Sequence, residues 1–266
     1  MNTLAVTCED VLKANDRGTH TVPSPGLYPH QWLWDSCFAA IGWARINPER
    51  AKQELLSLIH GQWHNGMMPH MIFSMDKKYA RDRNVWRSWV SPDSPNDVAT
   101  SGITQPPVLA EAVWRVGNEL TNSEREHFFT KMYPLLIAYH TWLYTERDPH
   151  NEGLTLQIHP YETGLDNTPP WERQLREHSR PIWIAAIENM RLEKFFSMVR
   201  RDTRSIPSEQ RMRNIDALMA WDAILRLRRK HYDIDLILHR SLFAIEDVGF
   251  NAILTRNNQI LRDIAK

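Results

Sequence analysis

The feature that most restricts the fold of this sequence is a helical period of apolar residues that restarts repeatedly behind capping signals. Asn47-Pro48 reads as an N-cap with proline at the first helical position, where the absent N–H would have had no partner anyway. It opens a helix over 49–60 with Ala51, Leu55, Leu58 and Ile59 on one face. Pro106-Pro107 opens a second run with Leu109, Val113, Val116 and Leu120 inward. Ser123-x-x-Glu126 has the form of a capping box ahead of a long helix through Phe128, Leu135, Leu136, Tyr139 and Leu143. Within that helix Pro134 should leave a kink or a break. Further amphipathic helices are predicted over 182–199, 208–228 and 248–264, the last capped by Asp247. Strand signals are confined to 155–158 and 236–238. Glycine, 10 of 266 residues, is scarce for a β-rich or dinucleotide-binding chain. The expected class is all-α, built from helix pairs with no fixed-period repeat.

Charge excludes several functions. Lys+Arg and Asp+Glu each number 32, so no polybasic footprint exists for nucleic acid or an anionic membrane. The two cysteines, Cys8 and Cys37, provide no disulfide framework, and Cys37 reads as a small core residue. The first ten residues lack the basic and apolar regions of a secretory signal, and no apolar run approaches the roughly 18 residues of a membrane span. A soluble cytoplasmic protein is expected.

The connections carry the unusual residues. Segment 74–102 is rich in charge, proline and tryptophan (Trp86, Trp89) and is expected to be a structureless lid or binding loop. Segment 158–181 is crowded with Glu, Asp, Asn, Pro and Trp. Aromatic and polar residues cluster at Tyr28-Pro29-His30-Gln31-Trp32-Leu33-Trp34-Asp35, at Gln62-Trp63-His64-Asn65-Gly66-Met67-Met68-Pro69-His70, and at Thr104-Gln105-Pro106-Pro107. A fourth cluster is His159-Pro160-Tyr161-Glu162-Thr163-Gly164-Leu165-Asp166-Asn167-Thr168-Pro169-Pro170-Trp171. Tryptophan offers a flat apolar face for a pyranose ring and an N–H for a hydroxyl, while carboxylates and amides fix the ring's hydroxyls. Glycoside hydrolysis then needs one carboxyl held protonated, as aromatic walls hold it by desolvation, and a second carboxylate to activate water or attack. Asp166 is the candidate for the first.

These segments, in this order, resemble the bacterial glucosylglycerate/mannosylglycerate hydrolases of glycoside hydrolase family 63. Tyr161-Glu162-Thr163-Gly164-Leu165-Asp166-Asn167-Thr168-Pro169 is similar to that family's Trp-Glu-Ser-Gly-Met-Asp-Asn-Ser-Pro, with Tyr161 and Thr163 as departures. Thr100-Ser101-Gly102-Ile103 ahead of Thr104 belongs to the same pattern, and the likeness runs from about Asn15 onward. It implies an (α/α)6 toroid of helical hairpins, with 1–266 as the N-terminal portion of a single catalytic domain. It implies inverting hydrolysis of a small α-glucoside or α-mannoside, with no redox cofactor and no catalytic metal. By position, Asp166 is the general acid, and Tyr28, Trp32, Trp34, Asp35, Gln105 and Gly164 form the walls and clamps of the sugar subsite. The family's general base is a glutamate in a Glu-Tyr/Asn-aromatic stretch ahead of a Thr-Gly turn. No such stretch occurs in these 266 residues, so a C-terminally truncated toroid is expected, with exposed apolar surface and self-association. The alternatives are a sugar-binding remnant and a trehalase-like hydrolase.

Other residues read as structural. Trp114, Trp142, Trp183 and Trp221 lie in helical patterns and are expected in the core. His60 and His64, an i, i+4 pair across a helix end, are a weak zinc signal. Arg226-x-Arg228-Arg229-Lys230 reads as a solvated helix end whose cations complement the dipole. Asn251 is expected to be structural.

Overall fold

A computed structural model describes residues 3–165, 173–174, 181, 183–184, 187, 213–239 and 243–266. Helices dominate these residues: α1 (Thr3–Asn15), α2 (Leu33–Ala44), α3 (Pro48–Ile59), α4 (Ala80–Trp86), α5 (Leu109–Asn118), α6 (Asn122–Glu146), α7 (Asn214–Arg229), α8 (Ile234–His239) and α9 (Val248–Ile264). The expected all-α class holds. The helix predicted over 182–199 falls almost wholly outside the described residues, as does most of the connection from 166 to 181.

Consecutive helices pair because short polar connections fold them back on each other. Asn47 caps α3 by accepting from Arg50 N at 3.1 Å, with Pro48 in the first turn. Leu33, Cys37, Ala40 and Ala44 of α2 then meet Ala51, Leu55 and Leu58 of α3, every one of them buried. The pair α5–α6 turns at Thr121, which forms a capping box with Glu124 two residues ahead of the expected Ser123/Glu126 box. Pro134 does not break α6, which runs 25 residues. Asp247 caps α9 through Phe250 N at 2.8 Å, and α9 lies across α5 and α6. Asn251 is structural as expected: it accepts from Thr155 N at 2.8 Å and donates to Thr155 O at 3.1 Å.

A buried polar knot fixes the N-terminal end. Glu54 is fully buried and accepts from Arg50 (2.9 Å), Thr21 Oγ1 (2.8 Å), Thr21 N (3.0 Å) and Ser36 Oγ (2.5 Å). A carboxylate without water is tolerated only when its lone pairs are met in this way. Gln31 joins the same knot through Glu54 O, which anchors the strand preceding α2.

Several expectations are corrected. Residues 236–238 lie in α8, not in a strand, and of 155–158 only Gln157 pairs, bridging Ile245. The strands that do form, β1 (Gln31–Trp32) and β2 (Met71–Ile72), are two residues long and antiparallel, too short for an alternation signal. Segment 74–102 is not structureless: it holds α4 and 3-10 turns at Lys77–Tyr79 and Ser88–Val90. Trp142 is buried and Trp114 packs on the core, but Trp183 and Trp221 keep 37% and 42% exposure and meet edge to face.

Candidate active site

Four loop segments far apart in the chain share one hydrogen-bonded layer above the helix ends. Trp32 pairs with Met71 in the β1–β2 register, and Leu33 N donates to His70 O at 3.1 Å. The 99–103 stretch runs along the other edge: Phe73 N donates to Ala99 O, Ser101 N to Met71 O, and His70 N to Ile103 O. Buried loop backbone must find partners, and here the loops find each other. The fourth segment joins through Thr104 N, which donates to Glu162 Oε1 at 3.1 Å. All four sequence clusters therefore meet.

Their aromatic rings form a continuous lining. Tyr28 meets Trp32 edge to face at 5.6 Å, and Trp32 meets His70 at 4.9 Å. Tyr161 stacks on His70 at 6.3 Å and 22°, and Trp86 and His159 close the group. Trp32 Nε1 and His70 Nε2 are buried and have no protein partner among the described residues. Such atoms are rare in folded proteins, and here two lie in one aromatic cluster.

The predicted clamps Trp34, Gln105 and Gly164 converge beside this lining. Trp34 and Asp35 sit in the first turn of α2, whose leading N–H groups have no helical partner. Gln105 Oε1 accepts one of them, Trp34 N, at 3.3 Å. Gly164 ends the Pro160–Thr163 turn with φ +71°, and a Cβ there would lie 2.6 Å from the Trp34 ring. Glycine is thus required twice, by backbone conformation and by contact with the indole. Thr163 Oγ1 closes the turn from both sides, donating to Pro160 O at 2.9 Å and accepting from Leu165 N at 3.2 Å. Asp166 follows directly and lies outside the described residues.

Glu162, a carboxylate four residues before Asp166 in the same motif, has a structural task. It is fully buried, receives Arg147 in a two-pronged ion pair (2.9 and 3.0 Å), and accepts from Ile158 N at 2.7 Å besides Thr104 N. All four acceptor directions are occupied, so no lone pair is left for water or a substrate. Arg147 carried no sequence signal. His70 and Tyr161 stood in quoted motifs without a role, and Trp86 only in the lid segment; their part appears when the loops pack together.

Burial keeps His70 and His159 neutral. Burial pushes His159 down to about 4, and its ring accepts from Tyr161 N while donating to Ala220 O. Burial, with His159 and His30 nearby, holds His70 well below its ordinary value. Away from the site, burial also lowers His140 to about 4. His60 caps the end of α3 and His64 is exposed; among the described residues no group of three His, Cys, Asp or Glu side chains could hold a metal ion.

A family model described as the mannosylglycerate hydrolase MGH1-like glycoside hydrolase domain matches residues 28–266. The chain is 40% identical to the mannosylglycerate hydrolase of Thermus thermophilus over 259 residues, covering 96% of this chain and 59% of that protein. It is 32% identical to the glucosylglycerate hydrolase of Mycolicibacterium hassiacum, covering 99% and 58%. A crystal structure of a family 63 mannosylglycerate hydrolase from Thermus thermophilus, in complex with Tris and D-glycerate, superposes with a TM-score of 0.83 at 38% identity, covering 98% of this chain and 59% of that one. The chain thus spans about half to three fifths of the length of the curated relatives it matches.

Two outcomes are expected from this geometry. Histidines buried neutral protonate more readily once unfolded, so the unfolded state binds more protons between their ordinary value near 6.5 and about 4. Their stabilisation is full above about pH 6.5 and lost as pH falls toward 4, at about 1.4 kcal/mol per pH unit for each. Urea midpoints across that range should fall with acid, and His159→Gln should flatten the slope by one proton. Glu162→Gln breaks a buried ion pair and should cost about 3–5 kcal/mol in denaturant unfolding.

Proposed function

This chain belongs to the mannosylglycerate hydrolase MGH1-like family of glycoside hydrolases, and from that premise we propose that it hydrolyses a small α-glucoside or α-mannoside. Glucosylglycerate and mannosylglycerate are the first candidates, since these are the substrates its relatives are named for. The observation that carries the reading is the convergence of Trp34, Gln105 and Gly164 at the turn that leads into Asp166. Nothing in this function involves nucleic acid or a membrane, and the compartment assigned is the cytoplasm.

In this mechanism Tyr28, Trp32 and Trp34 give the sugar ring its apolar walls, and Asp35 and the Gln105 amide address its hydroxyls. Among the described residues the Gln105 Nε2 donors have no protein partner, while its Oε1 is taken by Trp34 N. Asp166 gives its proton to the glycosidic oxygen as the C1–O bond breaks. A water entering from the opposite face yields the sugar with inverted configuration, its proton leaving to a carboxylate base, which the family resemblance puts in a stretch that these 266 residues do not contain. The general acid contributes about 10²–10⁴ in rate.

Asp166→Asn should lower kcat on the cleaved glycoside at least about a hundredfold with the circular dichroism unchanged. Proton NMR of the first turnovers should show the β-anomer from an α-linked substrate. Retention of wild-type rate in the variant removes Asp166 from the role. Turnover of trehalose in place of the glycerates moves the reading to a trehalase-like enzyme, and glucose binding without any turnover moves it to a sugar-binding protein. Phe38 on α2 and Val248 at the start of α9 are 54% and 82% exposed, and we expect concentration-dependent self-association through such apolar surface. Sedimentation velocity giving a monomer at every concentration contradicts that.

A further inference from the structure

The basic end of α7 is not simply solvated, as its sequence suggests. Arg228 reaches across to α4 and donates to two carbonyls of its last turn, Asn84 O at 3.2 Å and Val85 O at 3.1 Å. Tyr232 donates its hydroxyl to the next one, Trp86 O. His231 Nδ1 donates to Val90 O at 3.0 Å, in the 3-10 turn that follows. The last carbonyls of any helix lack intrahelical donors, and those of this seven-residue helix are met from another element.

The chain accepts backbone strain to present these side chains. His231 and Tyr232 both have positive φ, +54° and +60°, a region that residues with side chains rarely occupy in succession. Tyr232 also lies flat on Gly102, where a Cβ would come within 2.2 Å of its ring, and meets Trp63 edge to face. Lys230 is likewise engaged, donating to Ile237 O at 3.2 Å, and Arg226 pairs with Asp222.

The residue held at the end of α4 is Trp86, whose ring lies 5.4 Å from His70 and 6.2 Å from His159. Those two histidines flank Tyr161. The same helix α7 fixes His159 by accepting its Nε2–H at Ala220 O, and packs Ile224 and Leu227 into the cluster that contains Trp86. One helix therefore sets both sides of the contact behind Tyr161, and His70 carries it on to the Trp32 ring.

We propose that Arg228 and Tyr232 are positioning residues for the sugar pocket, acting through Trp86. Clamping α4 by its carbonyls holds Trp86 against His70 and His159, and this in turn fixes the rings that face the sugar. The inference rests on the pocket assignment made above, not on the identity of the glycoside. Because the clamp bonds backbone, α4 can carry different side chains without losing it.

The test uses Tyr232→Phe, which removes one hydrogen bond and keeps the ring against Gly102 and Trp63, together with Arg228→Ala and Arg228→Lys. Hydrogen exchange at amides 84–92 reads the clamp without reference to activity, and should accelerate at least about tenfold in Tyr232→Phe and Arg228→Ala. KM on glucosylglycerate or mannosylglycerate should rise about fivefold with kcat within about twofold, the signature of lost binding in ground and transition state alike. The dissociation constant for glucose should rise in parallel, and Arg228→Lys should recover part of the loss. Unchanged exchange overturns the clamp, and accelerated exchange with unchanged KM and glucose affinity overturns its positioning role. A wild-type protein that binds glucose but cleaves no glycoside overturns only the hydrolase reading, since glucose affinity still reads the pocket. A wild-type protein that does not bind glucose overturns both.

Discussion

The ion pair between Arg147 and Glu162 is the interaction on which the site is built. Both side chains are out of water, and each would be costly alone. Together they join the C-terminal end of α6, the strand-like stretch at Thr104 and the turn that ends at Gly164. Arg147 also lies over the Trp142 ring at 4.9 Å, which fixes the guanidinium from its second face. Through Thr104 the pair sets Gln105, and through Gln105 it reaches the first turn of α2 and Trp34. The carboxylate nearest the candidate acid in sequence thus organises the pocket and is withdrawn from its chemistry.

Around this pair the loops form a layer that is aromatic inside and hydrogen-bonded at its edges. The interior holds histidines where hydrocarbon would pack as well, and burial keeps His70 and His159 neutral. Neutral imidazoles bring ring surface and directed hydrogen bonds together: His159 bonds Tyr161 N on one side and Ala220 O on the other, tying the site turn to α7. The outer shell is held by backbone carbonyls, those of α4 gripped by Arg228 and Tyr232. The side chains proposed to face the sugar are thereby set by interactions among residues behind them.

Some of this was legible in particular residues. The Asn47-Pro48 start of α3 and the Asp247 cap of α9 are read from local chemistry, because a cap needs only neighbours three residues away. The box before α6 was displaced by two residues because Thr121/Glu124 satisfies the same pattern as Ser123/Glu126. The strands β1 and β2 are too short to show a period, and the seven residues of α4, with four polar ones in a row (Arg81, Asp82, Arg83, Asn84), lack an apolar stripe. Trp183 and Trp221 followed a helical pattern yet remain part-exposed, because a period identifies a face and says nothing of what covers it.

The sequence by itself determined the helical class, the caps of α3 and α9, and the loop motifs, with Trp34, Gln105 and Gly164, that mark the family. Those are short-range properties, written in residues close together along the chain. Tertiary structure decided which carboxylate is structural, which histidines are neutral, and that a basic helix end grips α4. Each of these depends on partners tens to more than a hundred residues away, as with Arg228 and Val85. Burial and hydrogen-bond saturation arise only when such partners meet, and they decide whether a charged or titratable side chain holds the fold or remains available for chemistry.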